Sequence, residues 1–160
     1  MAEYDPRWPG LFALEAQRIR AALGARALLI EHAGSTSVPG LAAKPILDIV
    51  LAVADSSKEE TYLQALEAAG YTLRVREPEW HQHRMFRGSP TMTNVHVFSS
   101  GCSEIKRTLK FRDWLRANPA DRELYERTKR ALAENDWNTV QDYADAKTII
   151  IGEILARAPR

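Results

Sequence analysis

The sequence predicts an α+β fold in which a mixed β-sheet is flanked by helices and followed by a C-terminal helical segment. Up to about residue 100, short apolar runs of strand length alternate with segments of helical periodicity, whereas beyond Ser103 the periodicity is helical throughout. The composition, with 45% hydrophobic and 27% charged residues in 160, is that of an ordinary globular domain. We therefore expect one domain over 1–160, with a sheet part at about 1–100 and a helical tail at about 103–158.

The first elements follow from apolar spacing and from the residues that interrupt it. Apolar residues at helical spacing over 12–23 predict a helix that ends at Gly24. A short apolar run at 27–31 predicts a strand. The run at 46–53 is apolar on both faces, which is typical of a strand buried inside a sheet.

The next signals predict a helix and then a hairpin. Ser57 and Glu60 form a capping-box signature, and Gly70 supplies the corresponding helix end. Alternation of apolar and polar residues over 71–87, broken by a proline turn, predicts two antiparallel strands, and 94–98 predicts another strand.

The remaining chain reads as three helices, at about 104–117, 119–134 and 140–156. Asn118 followed by Pro119 fits an N-cap with proline at the first helical position.

Charge and cysteine usage narrow the class of protein. A formal net charge of +1 argues against a chain held to nucleic acid by its overall field, so we expect no nucleic-acid partner. The lone Cys102 fits a reducing compartment, and neither a signal peptide nor a membrane span is recognisable, so we expect a cytoplasmic protein without a membrane partner.

The most informative stretch is a glycine-serine turn followed by a strand that carries one carboxylate. Backbone amides and hydroxyls in such a turn can approach phosphate oxygens, and the expected phosphate-binding residues are Gly34, Ser35, Thr36 and Ser37. Asp48 lies within the apolar run, where a carboxylate needs a cation or hydrogen-bond donors. It is therefore either a functional group or a buried acceptor that holds the turn in shape. Lys44 is placed to approach the same turn.

Further basic residues offer contacts for a nucleotide or another phosphorylated small molecule. Lys110 and Arg112 flank Phe111 on a predicted helix, and Tyr143 and Lys147 are four residues apart on another. The alternative is that the basic residues form a solvated face and that Tyr143 serves packing.

Three segments resemble the GrpB family, and together they span nearly the whole chain. They are HAGSTSVPGLAAKPILDI at 32–49, FRDWLRANP at 111–119 and YADAK at 143–147. The resemblance implies a nucleotidyltransferase-like mixed sheet, because the family is placed in the nucleotidyltransferase superfamily. It also implies kinship with a domain that follows dephospho-CoA kinase in some bacteria.

The superfamily pattern implies a particular ligand set for Mg²⁺ or Mn²⁺. Two carboxylates separated by one residue follow the glycine-serine turn, and a third lies on a neighbouring strand. Asp48 matches the first position, but Val50 occupies the second, and Asn94 and His96 stand where the third is expected. Either the ligand set has been rebuilt with histidine or metal catalysis has been lost.

Histidines are candidates to replace the missing carboxylates as metal ligands. His81 and His83 lie on one face of a predicted strand, and His96 lies on the adjacent strand. With Asp48 they form a candidate metal site, for which the alternative is a set of sheet histidines or anion-binding groups.

Two main hypotheses follow. The first is a nucleotidyltransferase-like protein that binds a nucleoside triphosphate with a divalent metal and transfers a nucleotidyl group to an unknown acceptor, with Asp48 as metal ligand and His96 as general base. The second is a noncatalytic module of the same fold that binds a nucleotide, a CoA-like metabolite or a partner protein. A metal-dependent phosphohydrolase using Asp48 and the histidines is a third possibility, although no hydrolase motif supports it.

Overall fold

A computed structural model describes residues 1–134 and 139–159 of the chain. The helices in these ranges are α1 (Trp8–Leu23), α2 (Leu63–Ala68), α3 (Ser103–Ala117), α4 (Pro119–Glu134) and α5 (Val140–Arg157). The strands are β1 (Leu29–Ala33), β2 (Leu47–Val53), β3 (Thr72–Glu77), β4 (His83–Gly88) and β5 (Thr93–Ser99). None of the helices in the described ranges combines the length and apolarity that crossing a bilayer requires.

The strands form one sheet in the order β1-β2-β5-β4-β3. Strands β2 and β5 pair in parallel, and the other neighbours pair antiparallel. The sheet is mixed and has helices beside it and after it, which confirms the predicted α+β class. The central position of β2 explains why that strand is apolar on both faces.

The two faces of the sheet bury different helices. Helices α1 and α2 contribute Ile19 and Leu66 to a core that includes Ile49 and Leu51 of β2. On the opposite face, Ile105 of α3 belongs to a second apolar cluster. Helices α3, α4 and α5 enclose a third cluster, built from Val38, Leu41, Leu115, Tyr125, Ile150 and Ile154. The helical tail therefore closes over the loop that follows β1.

The predicted capping box is wrong. The Ser57 hydroxyl donates to the Asp55 carboxylate 2.6 Å away, and α2 begins only at Leu63, after a short 3₁₀ turn at Glu59–Thr61. The Ser57 amide and hydroxyl both donate to Asp55 Oδ1, so Ser57 belongs to a local turn and does not lie at the start of a helix.

The predicted hairpin is confirmed, but its second strand begins later than expected. Strand β4 starts at His83, whereas His81 and Gln82 both have left-handed backbone angles, with φ of 55° and 48°. Two consecutive residues with left-handed angles interrupt an extended strand, so His81 lies in the turn. The prediction that His81 and His83 share a strand face is therefore wrong.

Candidate functional site

The sheet places Asp48 at the centre of a group of polar side chains. In the strand register Asp48 lies opposite Ala33 of β1 on one side and Asn94 of β5 on the other. His96 follows two residues after Asn94, so it projects from the same face. This is the face that the helical tail covers. The parallel pairing of β2 and β5 thus brings together the residues that the sequence pattern singled out.

The turn after β1 touches the Asp48 side chain directly. Gly34 has φ of 69°, and a β-carbon built there would lie 2.5 Å from Asp48 Oδ2. A side chain at position 34 would displace the carboxylate and would also suffer left-handed backbone strain. Glycine therefore allows the turn to pack against Asp48.

Other hydroxyl groups of the turn maintain its shape. Thr36 Oγ1 donates to the Ile46 carbonyl at 3.1 Å and lies 2.9 Å from His32 Nε2. The Ser37 hydroxyl donates to the Gly34 carbonyl. Thr36 and Ser37 are both buried, and of the two Thr36 is the one in the described lining of the cavity discussed below. The predicted phosphate-binding turn is thus a preformed loop in which Ser35 and Thr36 reach the cavity.

The helical tail ties this loop down. Arg116 of α3 donates to the Ser37 carbonyl at 2.9 Å, and Glu126 of α4 accepts from the Ala42 amide at 2.8 Å. These contacts join residues about eighty positions apart in the chain. The loop and the tail therefore form one structural unit around the site.

Lys129 of α4 is the most unusual cation near the loop. Its side chain is 5% exposed, Nζ donates to Ser35 Oγ at 2.7 Å, and the same ammonium lies 5.0 Å from the centre of the Tyr125 ring. Burial lowers the pKa of Lys129 to about 8, with Lys147 adding to the effect and Glu126 opposing it. The amine keeps its charge at neutral pH in a largely dehydrated place, where its attraction for an anion is strong.

A cavity of about 600 Å³ opens over Asp48 and is rich in positive charge. Its described lining includes Lys44, Lys129 and Lys147, with Asp48 as the single carboxylate among those lining residues. Burial lowers the pKa of Lys147, while the nearby Asp48 opposes that shift. Lys44 Nζ lies 6.0 Å from the centre of the Tyr143 ring. Three ammonium groups against one carboxylate leave the described lining of this cavity with an excess of positive charge.

A chain of hydrogen bonds links Asp48 to a carboxylate at the surface. His96 Nε2 lies 3.1 Å from Asp48 Oδ1, His96 Nδ1 lies 3.0 Å from His83 Nε2, and His83 Nδ1 lies 2.7 Å from Glu77 Oε1. If both carboxylates accept, the three contacts require three N–H groups on two imidazole rings. The histidine pair then shares one extra proton. Burial lowers the pKa of His83, and the hydrogen bond with Glu77 opposes that shift.

The fit to a resident metal ion is poor. Val50, where the superfamily pattern has its second carboxylate, is 1% exposed and packs in the apolar cluster of Ile105. Both ring nitrogens of His83 and of His96 already have partners, and His81 Nδ1 faces Cys102 Sγ at 3.6 Å. Over the described ranges, no three His, Cys, Asp or Glu side chains form a group able to hold a metal. The described residues therefore do not supply a complete ligand set.

Two predicted phosphate ligands lie elsewhere or are already engaged. Lys110 lines a separate cavity with Trp114 and Pro159, so the structure does not bring it to the Asp48 cavity. Arg112 Nη1 donates to Glu31 and to the His32 carbonyl, each at 2.9 Å. The helical periodicity around Phe111 could not show which side of α3 would face the site. Tyr143 and Lys147, in contrast, both line the cavity.

Sequence reasoning missed Lys129, although a signal was present. Tyr125 and Lys129 are four residues apart on α4, the same Tyr-to-Lys spacing that singled out Tyr143 and Lys147 on α5. The structure brings both lysines to one cavity. A repeated spacing on two neighbouring helices therefore marked the basic wall of the site.

His32 was not assigned a role either, and it has a large predicted effect on stability. Burial, reinforced by Arg116, lowers the pKa of His32 to about 4 from 6.5. The neutral ring is stacked on Phe12 with ring centres 4.9 Å apart. Its contribution to stability is complete above pH 6.5 and is lost as the pH falls toward 4, because the unfolded chain then binds a proton that the folded chain excludes.

We therefore expect His32 alone to remove about 3 kcal/mol from the free energy of unfolding over that pH interval. The measurement is urea unfolding at several pH values for the wild type and His32→Gln, which keeps a donor for Thr36. The variant should show the smaller acid loss. Equal pH slopes for the two proteins would contradict this assignment.

Comparison with known proteins identifies the family. The model of the family described as GrpB protein matches residues 1–157. The chain belongs to the GrpB family. The resemblance drawn from three sequence segments is thereby confirmed.

Individual relatives agree with this assignment. The chain is 61% identical over 158 residues to a UPF0157 protein of Halalkalibacterium halodurans, covering 99% of this chain and 81% of that protein. It is 30% identical to a dephospho-CoA kinase of Mycolicibacterium paratuberculosis, covering 89% of this chain and 42% of the kinase. The crystal structure of GrpB from Enterococcus faecalis matches with a TM-score of 0.81 and 34% identity, covering 98% and 97% of the two chains. That GrpB structure supports the α+β fold described above.

Proposed function

We propose that this GrpB protein binds a nucleoside triphosphate, or another phosphorylated small molecule, in the cavity above Asp48. The observation that carries the proposal is the convergence of Lys44, Lys129 and Lys147 on one cavity with a single carboxylate among its described lining residues. The cavity volume of about 600 Å³ lies within the usual range for ligands of nucleotide size. Ser35, whose hydroxyl oxygen accepts from Lys129, lines the same space.

In this proposal a metal ion binds only together with the phosphorylated ligand. Mg²⁺ and Mn²⁺ commonly bind to substrate phosphates together with one or two carboxylates. Asp48 provides one such carboxylate, and its contact with His96 keeps Oδ1 oriented. Nucleotidyl transfer is the activity that this arrangement suggests. His96 lies outside the described lining of the cavity and holds Asp48 in place, so it would act through Asp48 and not as a base on the phosphates.

A noncatalytic binding module is the second candidate, and the burial of Val50 favours it. Val50 lies in the apolar cluster beneath α3, where an unpaired carboxylate would be costly. This position therefore does not supply the second metal ligand of the superfamily pattern. Such a module would bind a nucleotide, a CoA-like metabolite or a partner protein without chemistry.

The substitution Asp48→Asn tests the proposal and separates the two candidates. Removing the single negative charge from a cavity with three lysines should strengthen metal-free binding of ATP by roughly fivefold to tenfold, since a unit charge nearby is worth about 1 kcal/mol or more there. A ligand that carries its metal to Asp48 should instead bind more weakly in the presence of Mg²⁺. The measurement is calorimetric titration of wild type and variant with ATP, with Mg²⁺ or with chelator.

Asp55→Asn is the matched control, because Asp55 lies in the loop after β2, outside the described lining of the cavity. Its ATP affinity should equal that of the wild type. Enhanced binding by Asp48→Asn both with Mg²⁺ and with chelator would support the noncatalytic module. No binding of ATP, pyrophosphate or CoA by the wild type would contradict the proposed function.

A further inference from the structure

A second cavity, of about 260 Å³, lies between the loop after β1, α3 and α5. Its apolar wall is formed by Val38, Phe111, Leu115, Tyr125, Ile151 and Leu155. Val38 and Leu115 are each 1% exposed, and both belong to the third apolar cluster. The cavity is thus built into the packing of the helical tail.

This second cavity shares three residues with the cavity that holds the lysines. Ser35, Asp48 and Lys147 line both spaces. A carboxylate, a hydroxyl and an ammonium therefore stand at the boundary, where groups from two different ligands would come within reach of each other. Asp48 is the acceptor there for a ligand that carries an O–H or N–H donor.

The charges on the remaining wall are already balanced. Arg107 is paired with Glu104 at 3.6 Å, and Arg112 is paired with Glu31 and Asp113 at 2.9 Å each. These guanidinium groups have carboxylate partners within the protein, in contrast to the excess of lysines around the first cavity. The second cavity is therefore suited to an uncharged body rather than to another phosphate.

The size of the cavity limits what it can hold. A volume of 260 Å³ corresponds to about nine water molecules at liquid density. It lies below the roughly 300 to 1,000 Å³ of ordinary ligand pockets, so a nucleotide does not fit. A ligand that fills this volume would have about nine heavy atoms.

We propose that this second cavity binds a small molecule with an aliphatic or aromatic body against Ile151 and Phe111, and with a hydroxyl or primary amine directed at Asp48. The inference rests on the proposed function in one respect, since it identifies this molecule as the second ligand beside the phosphorylated one. It goes beyond that function because it assigns a separate site and a chemical class to the partner ligand.

The test uses the full chain with labelled isoleucine, leucine and valine methyl groups, observed by NMR. Benzyl alcohol, 2-phenylethylamine and 3-methylbutan-1-ol are the probes, and the expected dissociation constants are on the order of 1 mM. The methyl signals of Val38 and Ile151 should shift in a saturable way, whereas those of the exposed Ile149 should not. ATP should shift the signal of Ile46, which lines only the first of these two cavities.

A pair of tryptophan substitutions on α5 supplies the control. Ile151→Trp fills the second cavity and should weaken probe binding at least tenfold, with Val38 and Leu155 as reporters. Ile149→Trp adds the same side chain at an exposed position and should leave probe binding unchanged. If Ile151→Trp does not fold, Thr108→Trp fills the cavity from α3 and takes its place.

The possible outcomes separate this inference from the proposed function. Saturable shifts at Val38 and Ile151 that are lost on filling the cavity support the second site. Absence of such shifts for all three probes, or binding that survives the filling substitution, overturns it. Failure of ATP, pyrophosphate and CoA all to shift Ile46 contradicts the proposed function instead.

Discussion

Replacing Lys129 by methionine should weaken binding of ATP or pyrophosphate by roughly 10- to 100-fold. Hydrogen bonds to charged groups contribute about 1.5 to 3 kcal/mol, and Lys129 offers such a bond from a position that is 5% exposed and beside Ser35. Methionine retains the apolar stem that packs near Tyr125 and removes the ammonium. Calorimetric titration with pyrophosphate and with ATP measures the loss.

Lys110→Met is the matched control, because Lys110 is a lysine of the tail that lines a different cavity. Its affinity for pyrophosphate should equal that of the wild type. Lys129→Met should keep the fold, since the substitution removes a cation that burial disfavours in the folded state. Equal affinity losses in the two variants would show that the general positive field, rather than the cavity, binds the anion.

The pKa of Lys129 predicts how anion binding depends on pH. Lys129 has a pKa of about 8, so its ammonium is present at pH 7 and is increasingly lost above pH 8 in the free protein. Affinity for pyrophosphate should therefore fall as the pH rises from 7 to 9. Lys129→Met should remove most of that pH dependence, and a fall of equal steepness in the variant would contradict the assignment.

Gly34→Ala should lower the free energy of unfolding by about 3 kcal/mol or more. The new β-carbon would lie 2.5 Å from Asp48 Oδ2, and the backbone at φ of 69° disfavours any side chain. Steric overlap in a packed site typically costs about 1 to 3 kcal/mol, and left-handed strain adds about 1 kcal/mol or more. Urea unfolding monitored by tryptophan fluorescence measures the change.

Two further variants separate the steric overlap from the backbone strain as causes of this loss of stability. Gly152→Ala lies within α5 with open space around its β-carbon, so it should be neutral or stabilise by up to about 1 kcal/mol. Gly34→Ala combined with Asp48→Ala removes the 2.5 Å overlap with Oδ2 and should recover part of the stability, leaving the backbone strain and the 3.0 Å approach to the β-carbon of residue 48. Full additivity of the two substitutions would show that Gly34 and Asp48 do not interact.

Local signals in the sequence determined most of the secondary structure. The apolar run at 46–53 marked β2 because a strand between two others must be apolar on both faces. Asn118 marked the start of α4, where its side chain accepts from the Asp121 amide at 2.9 Å. Such features depend on residues a few positions apart, so a single sequence contains them.

Competing local contacts explain where these signals failed. The Ser57 hydroxyl and amide donate to Asp55 in a local turn, and the helix begins only later, so Ser57 does not accept from helical amides. His81 took a left-handed turn conformation that alternation of residue types does not reveal. In both places the pattern was present, and a neighbouring interaction decided the conformation.

The sequence by itself determined the GrpB membership, the glycine-serine turn and the central carboxylate Asp48. The turn and Asp48 both lie in the longest of the three family-like segments, at 32–49, so a single sequence contains them. Only the tertiary structure decided which cations face that carboxylate. Lys129 is 94 residues from Ser35 and meets it because α4 folds back over the loop, whereas Lys110, from the family-like segment, lines a separate cavity. Helical periodicity shows which face of a helix is buried, but not which residues of other elements that face contacts. The site is formed by such contacts between elements that are distant in the sequence.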